Sequence, residues 1–245
     1  MKRLFFILGM TLLCCAMSMI AHSADLNSAR TRITAAFKER FPDVHIEQVN
    51  AAPWPGLYEV VTQGEIAYTN ADGSLLFSGR VLDTKTHEDL TQKRWNEINS
   101  IDFGKLPFDL AITTVKGNGS RKLAIFSDPD CPYCQQLEQS LRNVTDITIY
   151  TFLYPLESVH PDARNKAVKI WCSEDRSRAW SSWMLDKTAP AAEVCAGNPT
   201  ATLIELGNKL RVNSTPTLFF DDGHRIAGAI PPEQLENELN RKKAM

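Results

Sequence analysis

The sequence predicts a mixed α/β protein built from two folded parts that a polar helix connects. Three observations predict it. Short β-rich runs separated by turn residues follow one amphipathic helix up to about residue 85. From residue 106 onward, strand-like and helix-like segments alternate. At one strand-to-helix junction stands the sequence SDPDCPYC, residues 127–134, which places two cysteines one helical turn apart.

The first 23 residues have the pattern of a secretory signal peptide. Lys2-Arg3 forms a short positive region, and Leu4 to Ala21 carries no charge. Ala21-His22-Ser23 then supplies small residues at the two positions that signal peptidase reads. We therefore predict cleavage before Ala24 and export of the mature protein.

Two other readings of this segment are less favoured. The apolar run is nearly long enough for a retained membrane anchor, but it contains Ser and Thr and lacks a basic stop-transfer flank. A lipoprotein anchor through Cys14 or Cys15 is disfavoured because the bulky Leu13 precedes Cys14.

The charge pattern argues against a nucleic-acid partner. The 245 residues include 27 basic and 29 acidic ones, and no block of like charge occurs.

Residues 24–85 predict a small N-terminal domain of one helix and an antiparallel sheet. Apolar residues at helical spacing run from Asn27 to Phe41, where Pro42 ends the helix. Strands are predicted at Val44–Val49, Leu57–Thr62, Glu65–Thr69 and Leu75–Leu82, with turns at Gln63-Gly64 and at Asn70–Gly73. So small a unit buries little apolar surface alone, so we expect its edge strands to pair with a second copy, unless polar side chains protect them.

Residues 86–105 predict a linker helix. Thr86-His87-Glu88-Asp89 is a helix-start pattern, and the helix should run to about Asn99. Its composition is mostly polar, which is typical of a solvated spacer between two cores.

Residues 106–245 predict an α/β domain with helices on both faces of a sheet. We expect Ile112–Val115 and Leu123–Phe126 to form a hairpin around the turn Lys116–Gly119, and a second hairpin to form around Asp222-Gly223. The other predicted segments are a helix at Gln135–Leu141, a strand at Ile147–Leu153, helices at Ala163–Trp171, Arg178–Leu185, Thr200–Leu210 and Glu233–Arg241, and the strands Thr217–Phe220 and Arg225–Ala227.

Four cysteines remain after removal of the signal: Cys131, Cys134, Cys172 and Cys195. An even number in an exported chain indicates disulfide chemistry, and four cysteines allow three pairings. Local pairing of the first two would leave the last two for each other. A zinc site made only of cysteines usually has two short CxxC pairs, and this chain has one, so no metal is predicted.

The pair Cys131 and Cys134 has the placement of a redox dithiol. A cysteine at a helix N-terminus lies among unpaired backbone N–H groups, which lower its pKa. Cys131 is so placed, whereas Cys134 lies one turn deeper on the same face. Pro132 suits the first turn, where its missing N–H is not needed. The alternative is an inert structural disulfide.

A second element precedes the run Leu218–Phe220. In the sequence Asn213–Thr217, Pro216 is either ordinary punctuation before a strand, with a trans peptide bond, or a cis proline beside the reactive thiols. A cis proline would expose the backbone before it for strand-like pairing with an extended substrate.

The remaining polar and aromatic candidates have structural explanations. Asp128 and Asp130 beside the CxxC pair could relay protons, but we interpret them as turn or cap residues. His160 before Pro161 is interpreted as a helix entry, with no second histidine at metal-ligand spacing. Core or interdomain packing is expected for the tryptophans Trp171, Trp180 and Trp183.

Taken together, the chain resembles the periplasmic disulfide isomerases of the DsbC/DsbG family over essentially its whole mature length. The matching pieces are LYEVVT at Leu57–Thr62, FSDPDCPYC at Phe126–Cys134, IWC at Ile170–Cys172 and STPT at Ser214–Thr217. The Pro132-Tyr133 dipeptide is that of DsbG, where the best-known DsbC proteins have Gly-Tyr. The second cysteine pair favours DsbC.

The resemblance implies a thioredoxin-like catalytic domain with a helical insertion, joined by the linker helix to a cystatin-like dimerisation domain. It implies a periplasmic homodimer without a cofactor, which a membrane electron donor of the DsbD type keeps reduced. Cys131 would be the nucleophile and Cys134 the resolving thiol. Thr215, Pro216, Pro132 and Tyr133 would contact substrate, and Cys172 and Cys195 would form a structural disulfide.

Three other functions are alternatives to the isomerisation of incorrect disulfides in exported proteins. A holdase chaperone would bind unfolded chains without using the thiols. A DsbG-like enzyme would reduce oxidised single cysteines. A DsbA-like oxidase is disfavoured by the N-terminal module, because a donor of disulfides gains little from dimerising.

Overall fold

The computed structural model describes residues 25–241. The predicted signal peptide, residues 1–23, lies outside the described residues. The chain divides into two compact units at the bond between Trp95 and Asn96, which falls inside the predicted linker segment 86–105. In the described part of the chain, every helix is too short or too polar to cross a membrane.

The N-terminal unit is a helix packed on a four-stranded antiparallel sheet. Residues 25–40 are helical (α1). The strands β1 (Ile46–Ala51), β2 (Tyr58–Thr62), β3 (Glu65–Thr69) and β4 (Leu76–Phe77) pair in chain order. One face of α1 meets the inner face of the sheet, and the buried apolar side chains there are Ala29, Ile33, Phe37, Val49, Tyr58 and Val60. This arrangement confirms the predicted helix and the first three strands to within two residues.

The fourth strand is much shorter than the predicted Leu75–Leu82. Only Leu76–Phe77 pairs with β3, and the backbone then turns at Gly79, which has a φ of 150°. L side chains rarely adopt that φ, so the strand cannot continue regularly. Leu82 forms an isolated bridge with Asp89 instead.

The linker helix begins later than predicted. Helix α2 spans Leu90–Ile98, so it begins four residues after the predicted start at Thr86. The carboxylate of Asp89 accepts a hydrogen bond from Gln92 N at 2.8 Å, which is an N-capping contact. His87 has a φ of 60° and closes a turn onto Asp83 O, so the residues before Asp89 are outside the helix.

The second unit contains a five-stranded sheet in the order β5-β7-β6-β8-β9. The pair β6–β7 is parallel and the other pairs are antiparallel. Its strands are β5 (Ile112–Lys116), β6 (Arg121–Ser127), β7 (Ile147–Leu153), β8 (Thr217–Phe220) and β9 (Arg225–Ala227). Its α-helices are α3 (Pro132–Leu141), α4 (Ala163–Cys172), α5 (Arg176–Asp186), α6 (Thr200–Lys209) and α7 (Pro232–Leu239), and short 3₁₀ turns lie at Phe103–Lys105 and Phe108–Leu110. The helices and the hairpin β8–β9 are confirmed, with ends shifted by up to three residues.

The predicted hairpin of Ile112–Val115 with Leu123–Phe126 is wrong, because β7 lies between β5 and β6. All but one residue of β7 is buried, so a place at the sheet's edge would leave its backbone groups unpaired. The turn predicted to close the hairpin crosses the start of β7, where Asn118 N donates to the Asp146 carboxylate at 3.0 Å.

Apolar cores lie on both faces of this sheet. One contains side chains from α4, α5 and α6 around Phe126, and the other contains Leu137 and Leu141 of α3 together with Leu235 of α7. The ring of Phe126 is fully buried and stacks on Phe152 with ring centroids 5.0 Å apart. Since β6 leads directly into the cysteine pair, this packing anchors the segment that carries the site.

We expect Phe126→Ala to lower the free energy of unfolding of the second unit by about 3–5 kcal/mol, because it leaves a cavity in a closely packed core. The measurement is urea unfolding followed by tryptophan fluorescence. The control is Val115→Ala on β5, whose side chain is 61% exposed and which should cost less than about 1 kcal/mol. Equal losses in the two variants would contradict this assignment of the core.

Candidate active site

The two cysteines of CPYC lie where β6 meets α3. Cys131 is the N-cap residue of α3, with an extended backbone (φ −74°, ψ 121°), and Pro132 occupies the first turn. Both cysteines are free thiols. Cys131 is 5% exposed and Cys134 is fully buried. Strand β6 thus delivers Cys131 to the helix N-terminus, and the helix carries Cys134 into the core.

The loop before β8 faces Cys131. Cys131 Sγ lies 3.3 Å from Thr215 O, and the Thr215–Pro216 peptide bond is cis. Gly228 N donates to Pro216 O at 2.7 Å, which ties this loop to the end of β9. The structure therefore brings Cys131 and Cys134 close to Thr215 and Pro216, although 84 positions separate Cys131 from Thr215.

The surroundings of Cys131 favour its thiolate. The Cys134 thiol donates to the Cys131 sulfur, the Thr215 side chain acts in the same direction, and the backbone N–H groups of Tyr133 and Cys134 also donate to the sulfur. These donors outweigh burial, which acts against the charge, and lower the pKa of Cys131 to about 5. The Thr215 hydroxyl is buried and makes no hydrogen bond within the described residues. Cys131 is therefore ionised at neutral pH.

The surroundings of Cys134 have the opposite effect. Burial raises the pKa of Cys134 far above that of an ordinary thiol, and the neighbouring Cys131 sulfur raises it further. Two contacts oppose this shift: the Ser127 side chain and Asp128 N, which donates to Cys134 Sγ at 3.4 Å. The pair thus combines one ionised sulfur with one buried, protonated sulfur.

The dipeptide between the cysteines is exposed. Pro132 is exposed, and Tyr133 is 64% exposed. Their side chains therefore stand at the surface beside the nearly buried Cys131.

Asp128 and Asp130 do not serve the same purpose. Asp128 accepts a hydrogen bond from Asp130 N at 2.7 Å, as expected for a turn residue, but it also contacts His160 Nδ1 at 3.0 Å. Asp130 forms an ion pair with Lys166 at 2.7 Å. The contact of His160 with Asp128 was not predicted, because 32 positions separate the two residues and neither belongs to a spacing pattern.

Two tryptophans hold the surroundings of the site. The indole N–H of Trp183 donates to Pro129 O at 2.6 Å, in the loop that carries Cys131. The indole N–H of Trp180 donates to Glu138 on the cysteine helix at 2.7 Å. Trp171 packs beneath the Arg176 guanidinium, 3.7 Å from the ring centroid. Trp171 and Trp180 belong to the buried core and Trp183 packs against it, so these contacts hold the polar or exposed side of each indole in place.

The other two cysteines form a disulfide. Cys172 at the end of α4 is bonded to Cys195, and their Cα atoms are 5.6 Å apart. A cross-link that closes a loop of this length contributes about 3 kcal/mol by the chain-entropy model. It constrains the segment between α4 and α6. Within residues 25–241, no cluster of His, Cys, Asp and Glu could hold a metal ion.

Known proteins share both units of this chain. A family model for a thioredoxin-like domain matches residues 108–243, and a model for the N-terminal domain of disulfide bond isomerase proteins matches residues 21–92.

Individual relatives carry related names. The probable thiol:disulfide interchange protein DsbC of Bordetella avium is 43% identical over 84% of this chain and 73% of its own length. The thiol:disulfide interchange protein DsbC of Escherichia coli K12 is 24% identical over 80% of this chain and 82% of its own length. The crystal structure of a disulfide interchange protein from Neisseria gonorrhoeae is 41% identical, with a TM-score of 0.55, and the match covers 57% of this chain and all of that one.

We expect the alkylation rate of Cys131 in the reduced protein to rise with pH around pH 5 and to be nearly constant above about pH 6. The reason is that the thiolate is the reactive form and the pKa of Cys131 is lowered to about 5. An ordinary thiol would reach half its maximal rate near about pH 8.5. The measurement is iodoacetamide labelling, with mass spectrometry of the peptide that contains Cys131.

The control for this profile is Cys134→Ala, which removes the thiol that donates to the Cys131 sulfur. Its midpoint should move to higher pH. A midpoint near that of an ordinary thiol in the unsubstituted protein would contradict the assignment of Cys131 as the activated sulfur.

Proposed function

This chain belongs to the DsbC family of thiol:disulfide interchange proteins, and we propose that it is a periplasmic isomerase and reductase of incorrect disulfides in exported proteins. The observation that carries the proposal is the unequal state of the two thiols. The pKa of Cys131 is lowered to about 5, whereas burial raises that of Cys134. An ionised nucleophile can attack a disulfide at once, and the mixed disulfide then persists because its protonated, buried partner resolves it slowly.

The first step is attack of the Cys131 thiolate on one sulfur of a substrate disulfide. A new bond forms between Cys131 Sγ and that sulfur, the substrate S–S bond breaks, and the second substrate sulfur leaves as a thiolate. No net oxidation occurs, because one disulfide replaces another. The same backbone N–H donors that lower the pKa of Cys131 hold its sulfur at the helix N-terminus during attack.

Two exits lead from the mixed disulfide. In isomerisation, another substrate thiolate attacks the substrate sulfur, a different substrate disulfide forms, and the Cys131 thiolate is regenerated. In reduction, Cys134 loses its proton and attacks Cys131 Sγ, so that the enzyme becomes oxidised and the substrate leaves reduced. The raised pKa of Cys134 slows the second exit and leaves time for the first.

Substrate binding is assigned to Thr215, Pro216, Pro132 and Tyr133. The Thr215 carbonyl lies 3.3 Å from Cys131 Sγ, so a chain that pairs with this backbone would carry its disulfide to the nucleophile. Exposed Tyr133, two residues after Cys131, offers an aromatic surface near the sulfur. Both contacts suit an extended, unfolded segment.

We further propose that two chains pair through the N-terminal sheet. Strand β4 is at the edge of the sheet, and the apolar side chains in and around it are exposed: Leu75, Leu76, Phe77 and Leu82. An exposed apolar edge strand is a template for pairing with another chain. A second copy of β4 would cover it.

The proposed reaction requires an electron donor and a compartment in which disulfides form. Each turnover by the reductive exit leaves Cys131 and Cys134 oxidised, so a membrane electron donor of the DsbD type is needed to restore the dithiol. The predicted signal peptide at residues 1–23 would deliver the chain to the periplasm. Disulfides of exported proteins form in that compartment.

We expect Cys131→Ser to reduce the recovery of a scrambled multi-disulfide substrate to the level without protein. Cys134→Ala should lose dithiol-dependent reduction but keep part of the isomerisation, because a substrate thiol can still resolve the mixed disulfide. Refolding yield and insulin reduction are the measurements, and suppression of aggregation of a cysteine-free protein serves as a parallel assay. Full recovery with Cys131→Ser would leave only the holdase function, and reduction of single sulfenic acids without isomerisation would favour the DsbG-like reductase.

We expect Phe77→Lys to convert a dimer into a monomer, because it places a charge at the centre of the exposed β4 edge. Sedimentation at micromolar concentration should give about twice the chain mass for the unsubstituted protein and the single-chain mass for the variant. The matched control is Val115→Lys on β5, the edge strand of the other sheet, which should remain dimeric. Dimers in both variants would exclude β4 as the contact.

A further inference from the structure

Asp128 is a fully buried carboxylate between the end of β6 and the cysteine helix. Three N–H donors converge on it. Its Oδ1 accepts from Asp130 N at 2.7 Å, and its Oδ2 accepts from Leu156 N at 2.7 Å and lies 3.0 Å from His160 Nδ1. A carboxylate with this many donors is held in one orientation, and it joins the cysteine loop to the segment after β7.

The backbone of the same residue touches both reactive cysteines. Asp128 N donates to Cys134 Sγ at 3.4 Å, and Asp128 O accepts from Cys131 N at 3.2 Å. The side chain is therefore fixed on one side and the backbone contacts the two sulfur-bearing residues on the other. A rotation of Asp128 would move the N–H away from Cys134.

His160 completes the support of this carboxylate. Its side chain is 21% exposed, and its backbone is held by hydrogen bonds from His160 N to Leu156 O and from Ala163 N to His160 O. The imidazole thus reaches Asp128 from a turn that α4 follows directly. His160 contributes the one side-chain contact among the three.

We propose that Asp128 and His160 are positioning residues that hold the Asp128 N–H on the Cys134 sulfur and so set how fast Cys134 resolves the mixed disulfide. The inference rests on the proposed function and deepens it, since this rate decides between the reductive and the isomerising exit. It assigns no contact with substrate to either residue.

In the resolving step, Cys134 gives its proton to solvent, and its thiolate attacks Cys131 Sγ. The Cys131–Cys134 bond forms, the bond from Cys131 to the substrate sulfur breaks, and the substrate leaves as a thiolate that takes up a proton. Over attack and resolution together, the dithiol is oxidised by two electrons and the substrate disulfide is reduced by two. A hydrogen bond to Cys134 Sγ stabilises the thiolate on which this step depends, in a place where burial disfavours it.

The experiment follows the reaction of the reduced protein with one equivalent of dithiobis(nitrobenzoate). Attack by Cys131 releases one thionitrobenzoate, and attack by Cys134 on the resulting mixed disulfide releases a second. The two releases form separate phases of absorbance, so nucleophilic attack and resolution are measured in one trace. Cys134→Ala provides the reference with the first phase only.

We expect His160→Ala to slow the second phase by about five- to tenfold, the effect of losing one hydrogen bond, and to change the first phase by less than about twofold. His160→Asn places an amide near the position of Nδ1 and should restore the second phase to within about twofold. Asp128→Asn should slow the second phase as His160→Ala does. The NH₂ group of the asparagine would replace one carboxylate oxygen and could not accept the hydrogen bond that this oxygen receives.

The matched control is His224→Ala. His224 is also buried and paired with a carboxylate, Asp222, in the same unit, but at the β8–β9 turn. That variant should lose thermal stability and keep both phases. A fast first phase with an unchanged second phase in His160→Ala and Asp128→Asn would overturn the inference. A first phase in the unsubstituted protein no faster than that of an ordinary thiol would instead overturn the proposed function.

Discussion

The hydrogen bond from the Cys134 thiol to the Cys131 sulfur is the interaction on which the site depends. It stabilises the negative charge on one sulfur by keeping the proton on the other. Each sulfur depends on the other. Without the Cys134 thiol as donor, the pKa of Cys131 would be higher, because burial disfavours its charge. Without the Cys131 thiolate beside it, Cys134 would ionise more readily. The unequal burial of the two residues, fixed by one turn of helix, produces this difference.

The register of the sheet brings the other half of the site into place. Strands β6 and β8 pair antiparallel with Phe126 opposite Thr217, so the loop that ends in Thr215 and Pro216 meets the loop that begins after Ser127. A shift of one residue would move Thr215 away from Cys131 and turn the side chains of β8 into the core on the opposite face of the sheet. The buried edge-to-face contact of Phe126 with Phe219 on β8, with ring centroids 5.7 Å apart, resists such a shift, so core packing and site geometry depend on the same residues.

Local patterns predicted what depends on neighbouring residues and failed where distant ones decide. The helix start at Pro132 and the hairpin around Asp222-Gly223 follow from turn chemistry within a few positions. The supposed hairpin closed by Lys116–Gly119 has equally good turn residues, but a central strand that comes later in the chain takes its place. The contact of Asp128 with His160 depends on the same long-range folding, and no spacing rule could have found it.

The burial of Cys131 has a consequence for which disulfides can react. Because Cys131 is only 5% exposed, a disulfide held within a folded surface would be kept from its sulfur, since the attacking and leaving sulfurs must lie nearly in line. Under the proposed function, a disulfide in a flexible segment would enter, since such a segment could extend along the backbone at Thr215 and rest on exposed Tyr133. A disulfide enclosed by a native fold would be excluded, whereas one in a partly unfolded chain would not. Restricted access to an activated thiolate would then discriminate by the folding state of the substrate, without reading its sequence.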